Sequence, residues 1–574
     1  MILRFTGSLL AAVFLSVTLS TGVVRAEMPS PKPAVNPALA KHLKKFIKPR
    51  LRKITDKVYW AQYYDYSSFG FLVGKQGVIA IDCGWWPGAT KRALKDLRKI
   101  TDKPVTHIVY THGHADHIAG CPGMVEQPGQ KIEIIAHEDY LRYRNEVVSS
   151  RMPFISRRAT DQMGFLLQQS NAGSVGAGVG PGFYDGDTGY RPPTRLIKDG
   201  DVLKIDGHTL SFIEAKADID DAVAVYLPKE KILFPGDAVH GTGPVIASPR
   251  QEKGRDPMNW MDSLDRLTRL DVDVLLPGHG PIYLDKQASR RIMEDVRDTI
   301  QYIVDHIVRG LNAGDMREDI IASLKLPPHL ANHPDLGWYY HSLTFVARGI
   351  HANFAGWWGD DFVGMFEQEP NKLAKSYVAA MGGLTAVLDR ADKAGATGDC
   401  VFAGRLLAHA LRVAPDNKRA KRLMTKCLRD VAYAAESTSQ RNYMLAMAAE
   451  LNSSYDRSKT RPFVGVANLL AQVPSKNLLS TLTPRLKREQ TLQMDKSIGL
   501  KISGTGELFT LNIRRGVFRI AEGLDRDDLP MITASRAALI GFATRRLGFA
   551  RAIDEGMVSV DDKQQAKAFF AFVN

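Results

Sequence analysis

The sequence predicts a layered α/β domain, then an all-helical domain, then a terminal α+β module. Three observations carry this reading. Short apolar runs alternate with helical stretches as far as about residue 287, apolar residues then recur three and four apart to about residue 455, and strand-like alternation returns after Ser475. With 574 residues, 44% hydrophobic and 24% charged, the chain can bury several cores and suits about three domains.

Residues 1–26 open with Arg4, run apolar from Leu9 to Leu19 and end in Val24-Arg25-Ala26, the pattern of a cleaved secretory leader. The apolar run falls short of the roughly 17–25 residues that a membrane span needs. The mature chain is therefore expected to start near Glu27, to be secreted or periplasmic, and to hold no stable membrane span. Losing Arg4 and Arg25 takes the formal charge from +14 to +12, a balance that draws in anions. The chain has no zinc-finger spacing, no basic stretch interleaved with aromatics and no long Lys/Arg block, so nucleic acid is not an expected partner. A small anionic substrate or an anionic cell surface accounts for the excess charge equally well. Cys83, Cys121, Cys400 and Cys427 lie far apart without a C-x-x-C, which excludes a zinc ribbon and leaves one bridge open in an oxidising compartment.

In the first domain, 27–287, the runs 57–61, 69–73 and 77–82 are β-rich and bounded by Gly, Asp or Ser. A helical stretch at 89–100 leads into a strand at 105–110. The Gly-rich segment 171–184 reads as a loop near the mouth of a site. It lacks the Lys-Ser/Thr of a nucleotide loop, and no strand immediately precedes it as a dinucleotide fingerprint requires. In the second domain, 288–455, Met293, Val296, Ile300, Ile303, Val304, Ile307, Val308 and Leu311 form the apolar stripe of a helix that stops near Gly314. In the third, 475–574, residues 508–513 alternate as a strand and 534–542 read as a helix.

Directly after the strand at 105–110 comes Thr111-His112-Gly113-His114-Ala115-Asp116-His117. His112 and His114, two apart in extended chain, project the same way and can chelate one metal, while Asp116 and His117 turn onto the next segment and reach a second. His107, buried in the strand itself, is read as structural. A dinuclear site also needs a bridging carboxylate and ligands from distant loops. Phe234-Pro235-Gly236-Asp237-Ala238 and Leu276-Pro277-Gly278-His279-Gly280 each offer one at the end of an apolar strand.

In order and spacing these motifs resemble the metallo-β-lactamase superfamily. The resemblance implies an αββα sandwich for 27–287 and two zinc ions per chain, with Asp237 bridging them and His279 completing the second. Asp116 and Asp237 would then serve catalysis as well as metal binding. The superfamily's further His, shortly before Leu227-Pro228, is absent, and Asp218 stands in its place. Alkylsulfatases, which the chain resembles, carry a carboxylate there, so Asp218 is assigned to the first metal. Asp220 and Asp221 remain alternatives, and His240 and Glu214 are weaker stand-ins.

The resemblance to alkylsulfatases rests on segments outside the metal motifs. These are Ser156-Arg157-Arg158-Ala159 with Gly164, Leu166 and 175–178, then Leu326-Pro327-Pro328-His329-Leu330-Ala331-Asn332, Gly337-Trp338-Tyr339-Tyr340 and Gly356-Trp357-Trp358, and finally Ala414-Pro415-Asp416-Asn417, Ala435-Glu436-Ser437 and Arg441-Asn442-Tyr443. It implies an all-α dimerisation domain over 288–455, a sterol-carrier-protein-like α+β domain over 475–574 and a homodimer. It also implies zinc-dependent cleavage of amphiphilic alkyl sulfate esters to alcohol and inorganic sulfate, by a hydroxide generated at the metals. Arg250, five residues before Arg255-Asp256, and Arg348 are expected by the same resemblance to hold the sulfate, since an Arg fork matches two oxyanion oxygens.

Two departures stand out. The family's His after the Tyr-Tyr pair, proposed as an acid, falls on Phe345 here, with His341 as a nearby substitute, and the bridging Glu is Asp237. Two rival readings follow: the same fold acting on a lactone, lactam or thioester, or a protein that binds zinc or lipid without turnover.

Overall fold

The computed structural model describes residues 34–147, 150–182, 188–250, 255–366, 369–456 and 470–573, so the leader expected at 1–26 lies outside the described residues. Strands β1 (Arg50–Lys53), β2 (Val58–Gln62), β3 (Phe69–Val73), β4 (Val78–Ile81), β5 (Val105–Val109), β6 (Glu133–His137) and β7 (Arg195–Ile197) form one sheet in chain order. The first four pair antiparallel, whereas β4 to β7 run parallel. Parallel neighbours need crossovers, and the connections carry helices. A second sheet takes the order β12-β11-β10-β9-β8 from β8 (Val202–Ile205), β9 (His208–Glu214), β10 (Val223–Leu227), β11 (Ile232–Phe234) and β12 (Val274–Leu275).

The two sheets meet face to face. Val58, Trp60, Leu72, Ile79, Ile81 and Val109 of the first sheet pack on Phe212, Val223, Val225 and Phe234 of the second. The alternate residues Tyr59, Ala61, Phe71 and Ala80 point to the opposite face. With both faces covered, the strands read as unbroken apolar runs.

The helices α1 (Pro37–Leu43), α2 (Pro87–Leu97), α3 (Ala115–Ile118), α4 (Tyr140–Val147), α5 (Met152–Met163) and α6 (Pro257–Leu267) belong to this region. Ala93, Leu94 and Leu97 of α2 and Tyr140 of α4 cover the first sheet. On the other side, Trp260, Leu264 and Leu267 of α6 cover Ala224, Leu233 and Leu275 of the second, and the layers are α, β, β, α.

The long helix α7 (Lys286–Ala313) is capped by the Asp285 side chain, which accepts from the Ala288 N–H, and ends at Gly314 in the left-handed region (φ 77). Its stripe of Ile292, Met293, Val296, Ile300, Ile303 and Ile307 packs into the same core as α6. The boundary read at 287/288 thus marks the start of a helix that also roofs the second sheet. Beyond it lie α8 (Arg317–Ser323), α9 (Pro328–Ala331), α10 (Leu343–Ala355), α11 (Pro370–Ala380), α12 (Gly383–Ala396), α13 (Cys400–Val413), α14 (Lys418–Ala434) and α15 (Thr438–Leu451). Asp399, Asn417 and Ser437 cap α13, α14 and α15.

The terminal module is a sheet of order β15-β14-β13-β16-β17, built from β13 (Asp495–Ser503), β14 (Leu508–Arg514), β15 (Val517–Glu522), β16 (Met531–Ser535) and β17 (Val558–Val560). Helices Arg536–Ala543, Phe549–Asp554 and Lys563–Phe570 bring Phe542, Phe549 and Phe570 against Leu500 and Leu511 around a small apolar pocket. This is the α+β arrangement expected for 475–574. Among the described residues no helix is long and apolar enough to cross a membrane.

Candidate active site and metal centre

The metal motif leaves β5 at its C-terminal end, and Asp82, just past the end of the adjacent β4, holds it in place. Asp82 has a positive φ of 61, a conformation that Asp tolerates better than most residues. Its carboxylate accepts from Thr111 N–H (2.8 Å), from Thr111 Oγ1 (2.8 Å) and from His117 Nδ1 (2.8 Å). With Nδ1 donating to Asp82, His117 turns a lone pair on Nε2 into the site, the outer-shell arrangement by which metal-ligating imidazoles are oriented. A disulfide between Cys83 and Cys121, the bridge the sequence left open, ties the end of β4 to the turn after α3. Cys400 and Cys427 face each other with Sγ atoms 2.6 Å apart.

All seven residues read as metal ligands come together. His112, His114, Asp218 and Asp237 form one cluster and Asp116, His117 and His279 another, the candidate ligand atoms of each lying within 4.8 Å of one another. His114 Nδ1 is 2.7 Å from Asp218 Oδ2, and His112 Nε2 is 3.7 Å from Asp237 Oδ2. In the second cluster, His279 Nε2 is 3.2 Å from Asp116 Oδ2. Asp237 also approaches His117 (3.3 Å) and His279 (3.5 Å), so it stands between the two groups.

Two glycines make this possible. A Cβ on Gly278 would lie 2.7 Å from the His117 ring and 2.8 Å from Asp237 Oδ1, and Gly236 presents Asp237 from a positive φ of 56.

The residues fit a bound cation. Asp237 Oδ1 and His117 Nε2 are buried without a hydrogen-bond partner although they face each other, an arrangement that native interiors avoid unless an ion joins the atoms. Burial lowers the pKa of His279, but the carboxylates of Asp237 and Asp116 override it and hold the ring at about 10. His117 is likewise held well above its usual value, by Asp237, Asp116 and Asp82 against burial. A cation between these groups supplies the positive charge that the rings otherwise take up as protons.

The alternatives to Asp218 fall outside both clusters. Asp220 is half-buried beside Arg142, Asp221 is buried but belongs to neither cluster, and Glu214 pairs with His137 and Lys216. His240 is closer: its Nε2 is 3.2 Å from Asp237 Oδ2, and its ring stacks on His279.

Above this floor the pocket is lined by Tyr66, Met163, Val179, Val245, Arg250, Arg255 and Tyr340. Arg250 is where the resemblance placed it. Arg348 is not. It lies exposed on α10, paired with Glu318 at 2.5 Å, in an outer groove that it shares with Phe345. The phase of the helix is the reason: Val346, Ala347 and Ile350 take the buried face, which turns positions 345 and 348 away. The position that resemblance assigns to an acid is therefore outside the pocket in this chain. His341 is buried behind the wall, its Nδ1 3.0 Å from Ser439 Oγ and its ring stacked on Tyr340. His107, read as buried, is half-buried, with Nε2 3.2 Å from Glu133 on the neighbouring strand.

The second cation is Arg255, which the sequence reading named only within the segment that places Arg250, without a role of its own. Its Nη2 lies 2.7 Å from Asp218 Oδ1 and its Nε donates to the Asp218 carbonyl. Burial opposes ionisation of Asp218, yet Arg255 and His114 hold its carboxyl well below the usual carboxylate range. Asp82 and Tyr66 escaped the sequence reading because nothing in their neighbourhoods marks them as belonging to the site, and Tyr340 entered it only as part of a family segment, without a role.

Comparison with known proteins agrees with this geometry. Residues 64–279 match the family model of the metallo-β-lactamase superfamily, and 316–454 match that of alkyl sulfatase dimerisation. A linear primary-alkylsulfatase of Pseudomonas sp. is 30% identical over 464 residues, spanning 78% of this chain and 88% of its own length. An alkyl/aryl-sulfatase of Saccharomyces cerevisiae is 26% identical, with 80% and 72% covered. The solved structure of a stereoselective inverting sec-alkylsulfatase from Pseudomonas sp. superposes with a TM-score of 0.83 at 22% identity, covering 96% of this chain and 88% of that one, which shows a shared fold.

Proposed function

Because the chain belongs to the alkylsulfatase family of the metallo-β-lactamase superfamily, we propose that it hydrolyses alkyl sulfate esters to the alcohol and inorganic sulfate with two zinc ions per chain. The observation that carries this is the pairing, in one pocket, of a two-cluster metal floor with a wall that combines Arg250 and the apolar Met163, Val179 and Val245. A sulfate head needs fixed cations and an alkyl tail needs apolar surface, and this wall offers both.

His112, His114, Asp218 and Asp237 would hold one zinc and Asp116, His117 and His279 with Asp237 the other. Zinc bound there supplies Lewis acidity and lowers the pKa of water toward neutrality. The chain's own residues do the rest. Asp82 fixes the His117 ring, Tyr66 O accepts from His279 Nδ1 (3.1 Å), and Arg255 compensates the Asp218 charge, so the ligands are oriented before substrate arrives. Arg250 meets the anionic head, and the buried wall keeps competing water away.

Three further readings belong to the proposal. The chain acts as a homodimer, supported by the dimerisation match over 316–454 and by the exposed Phe354, Trp357, Phe362, Val363, Met365 and Phe366 within it. It is exported by the leader at 1–26, supported by the composition of those residues. The terminal module resembles a sterol-carrier protein, supported by its apolar pocket between sheet and helices.

The test is a panel of dodecyl sulfate, a dodecanoyl thioester and an acyl lactone with the zinc-loaded protein. Sulfate release well above cleavage of the other two is the expected result, and turnover confined to thioester or lactone would refute the alkyl sulfate reading.

A further inference from the structure

We propose that Tyr340 is a hydrogen-bond donor to the sulfate group of the substrate, its phenol hydrogen directed into the pocket because Arg250 and Gln162 occupy both of its lone pairs. This rests on the alkyl sulfate reading above. A phenol oxygen has one hydrogen to give and two lone pairs to fill. Arg250 Nη1 donates to Tyr340 Oη at 3.0 Å and Gln162 Nε2 donates to it at 2.9 Å. Ser248 Oγ in turn donates to Gln162 Oε1 at 3.0 Å, an arrangement in which the amide nitrogen faces Tyr340. Gln162 and Ser248 are each 1% exposed and Tyr340 6%, so water does not compete for these places.

With both acceptor positions taken, Tyr340 can only donate. The group within its reach is the Tyr66 phenol, which lines the same pocket and whose own hydroxyl contact is the weak acceptor Met163 Sδ at 3.9 Å. An ionised sulfate oxygen is the stronger acceptor, since charge-assisted hydrogen bonds are roughly twice as strong as neutral ones. Entry of the substrate would therefore turn the Tyr340 hydrogen from Tyr66 to the anion by rotation of the hydroxyl alone.

The ring is already held for this. It stacks on His341 at 4.2 Å, and its backbone carbonyl accepts from Ser437 Oγ (2.8 Å) and Ser439 N–H (3.1 Å) at the start of α15. Preorganised donors of this kind gain most where charge grows during reaction, and the sulfate oxygens are such a place when the C–O bond breaks and sulfate leaves as the dianion. The role is binding and charge stabilisation, with no proton transfer.

Tyr340→Phe keeps the ring and its stack and removes only the hydroxyl. In the zinc-loaded full-length protein, the inhibition constant of inorganic sulfate is expected to rise about 10-fold and kcat on dodecyl sulfate to fall about 10- to 100-fold. Inhibition by 1-dodecanol, which carries no sulfate, and zinc content by plasma emission are expected to stay unchanged. An unchanged sulfate constant would overturn the assignment, and so would a loss of dodecanol binding or zinc in parallel with it, which marks a structural role. Should the wild type release no sulfate from any alkyl ester, calorimetric titration of both zinc-loaded proteins with sulfate still decides. A roughly 10-fold weaker binding to the variant upholds Tyr340 independently of the function, and equal binding, or none to the wild type, refutes it.

Discussion

The floor and the wall of the pocket are made in different ways. Four of the seven floor residues come from the six-residue stretch between His112 and His117, and their supports, Asp82 and Gly278, lie at the ends of neighbouring strands. The wall is assembled from five separated segments: Tyr66 lies between β2 and β3, Met163 ends α5, Val179 lies in the Gly-rich loop, Val245, Arg250 and Arg255 follow β11, and Tyr340 precedes α10. Three of those segments, the end of α5, the Gly-rich loop and the stretch before α10, are held together by the start of α15. There the buried guanidinium of Arg441 donates to the carbonyls of Asn171 and Gly173, Asn442 Nδ2 to those of Gln162 and Gly176, and Ser437 Oγ to that of Tyr340. Metal chemistry needs ligands a few ångströms apart, which one turn of chain provides. Substrate recognition is set by distant elements and can change while the chemistry stays, which is how one fold serves many substrates.

Floor and wall can be struck separately. Asp237→Ala removes the residue that both clusters share, and zinc content is expected to collapse with turnover down by at least about 1000-fold. Arg250→Met should leave zinc content intact while kcat/KM on dodecyl sulfate falls about 10- to 100-fold, the worth of one charge-assisted contact. Loss of zinc in this variant would show that floor and wall are not separable.

The wall also has a titratable support. His42 of α1 bonds the Gly178 carbonyl through Nε2 at 2.7 Å and stacks on Tyr339, and burial pushes its pKa down to about 4. The folded state thus excludes a proton that the unfolded chain binds near pH 6.5. The stability this contributes is complete above that pH and is lost as the pH falls from 6.5 to 4. Over that window the melting temperature of wild type should drop relative to His42→Phe, by the equivalent of about 1–3 kcal/mol. Parallel curves for the two proteins would contradict it. The smallest effect belongs to Arg348→Ala, whose side chain reaches Glu318 outside the pocket: turnover should stay within about twofold of wild type.

What could be read from the sequence follows the same division. Strands covered on both faces leave unbroken apolar runs, so a layered α/β domain and the ends of β5, β11 and β12 were legible, and with them His112, His114, Asp116, His117, Asp237 and His279, whereas the sandwich itself came from resemblance. Asp218 needed resemblance as well, since three aspartates crowd the stretch 218–221 and only packing distinguishes them. Arg348 shows the limit of position-by-position transfer, because a residue's place in a family pattern does not give the rotation of its helix. Arg255 and Tyr340 fall in segments that carry the resemblance, yet nothing in the sequence gives either a role in the site. Their partners Asp218 and Gln162 lie 37 and 178 residues away in the chain, and the Cys83–Cys121 bridge likewise depended on a distance that only the fold sets.

The most direct test of the account is sulfate release from dodecyl sulfate by metal-free protein as zinc is added back, alongside His112→Ala. No release is expected without metal, then a rise that levels off at two zinc ions per chain, and none from the variant at any zinc level. Two zinc ions bound without release, or release that survives the loss of His112, would contradict it.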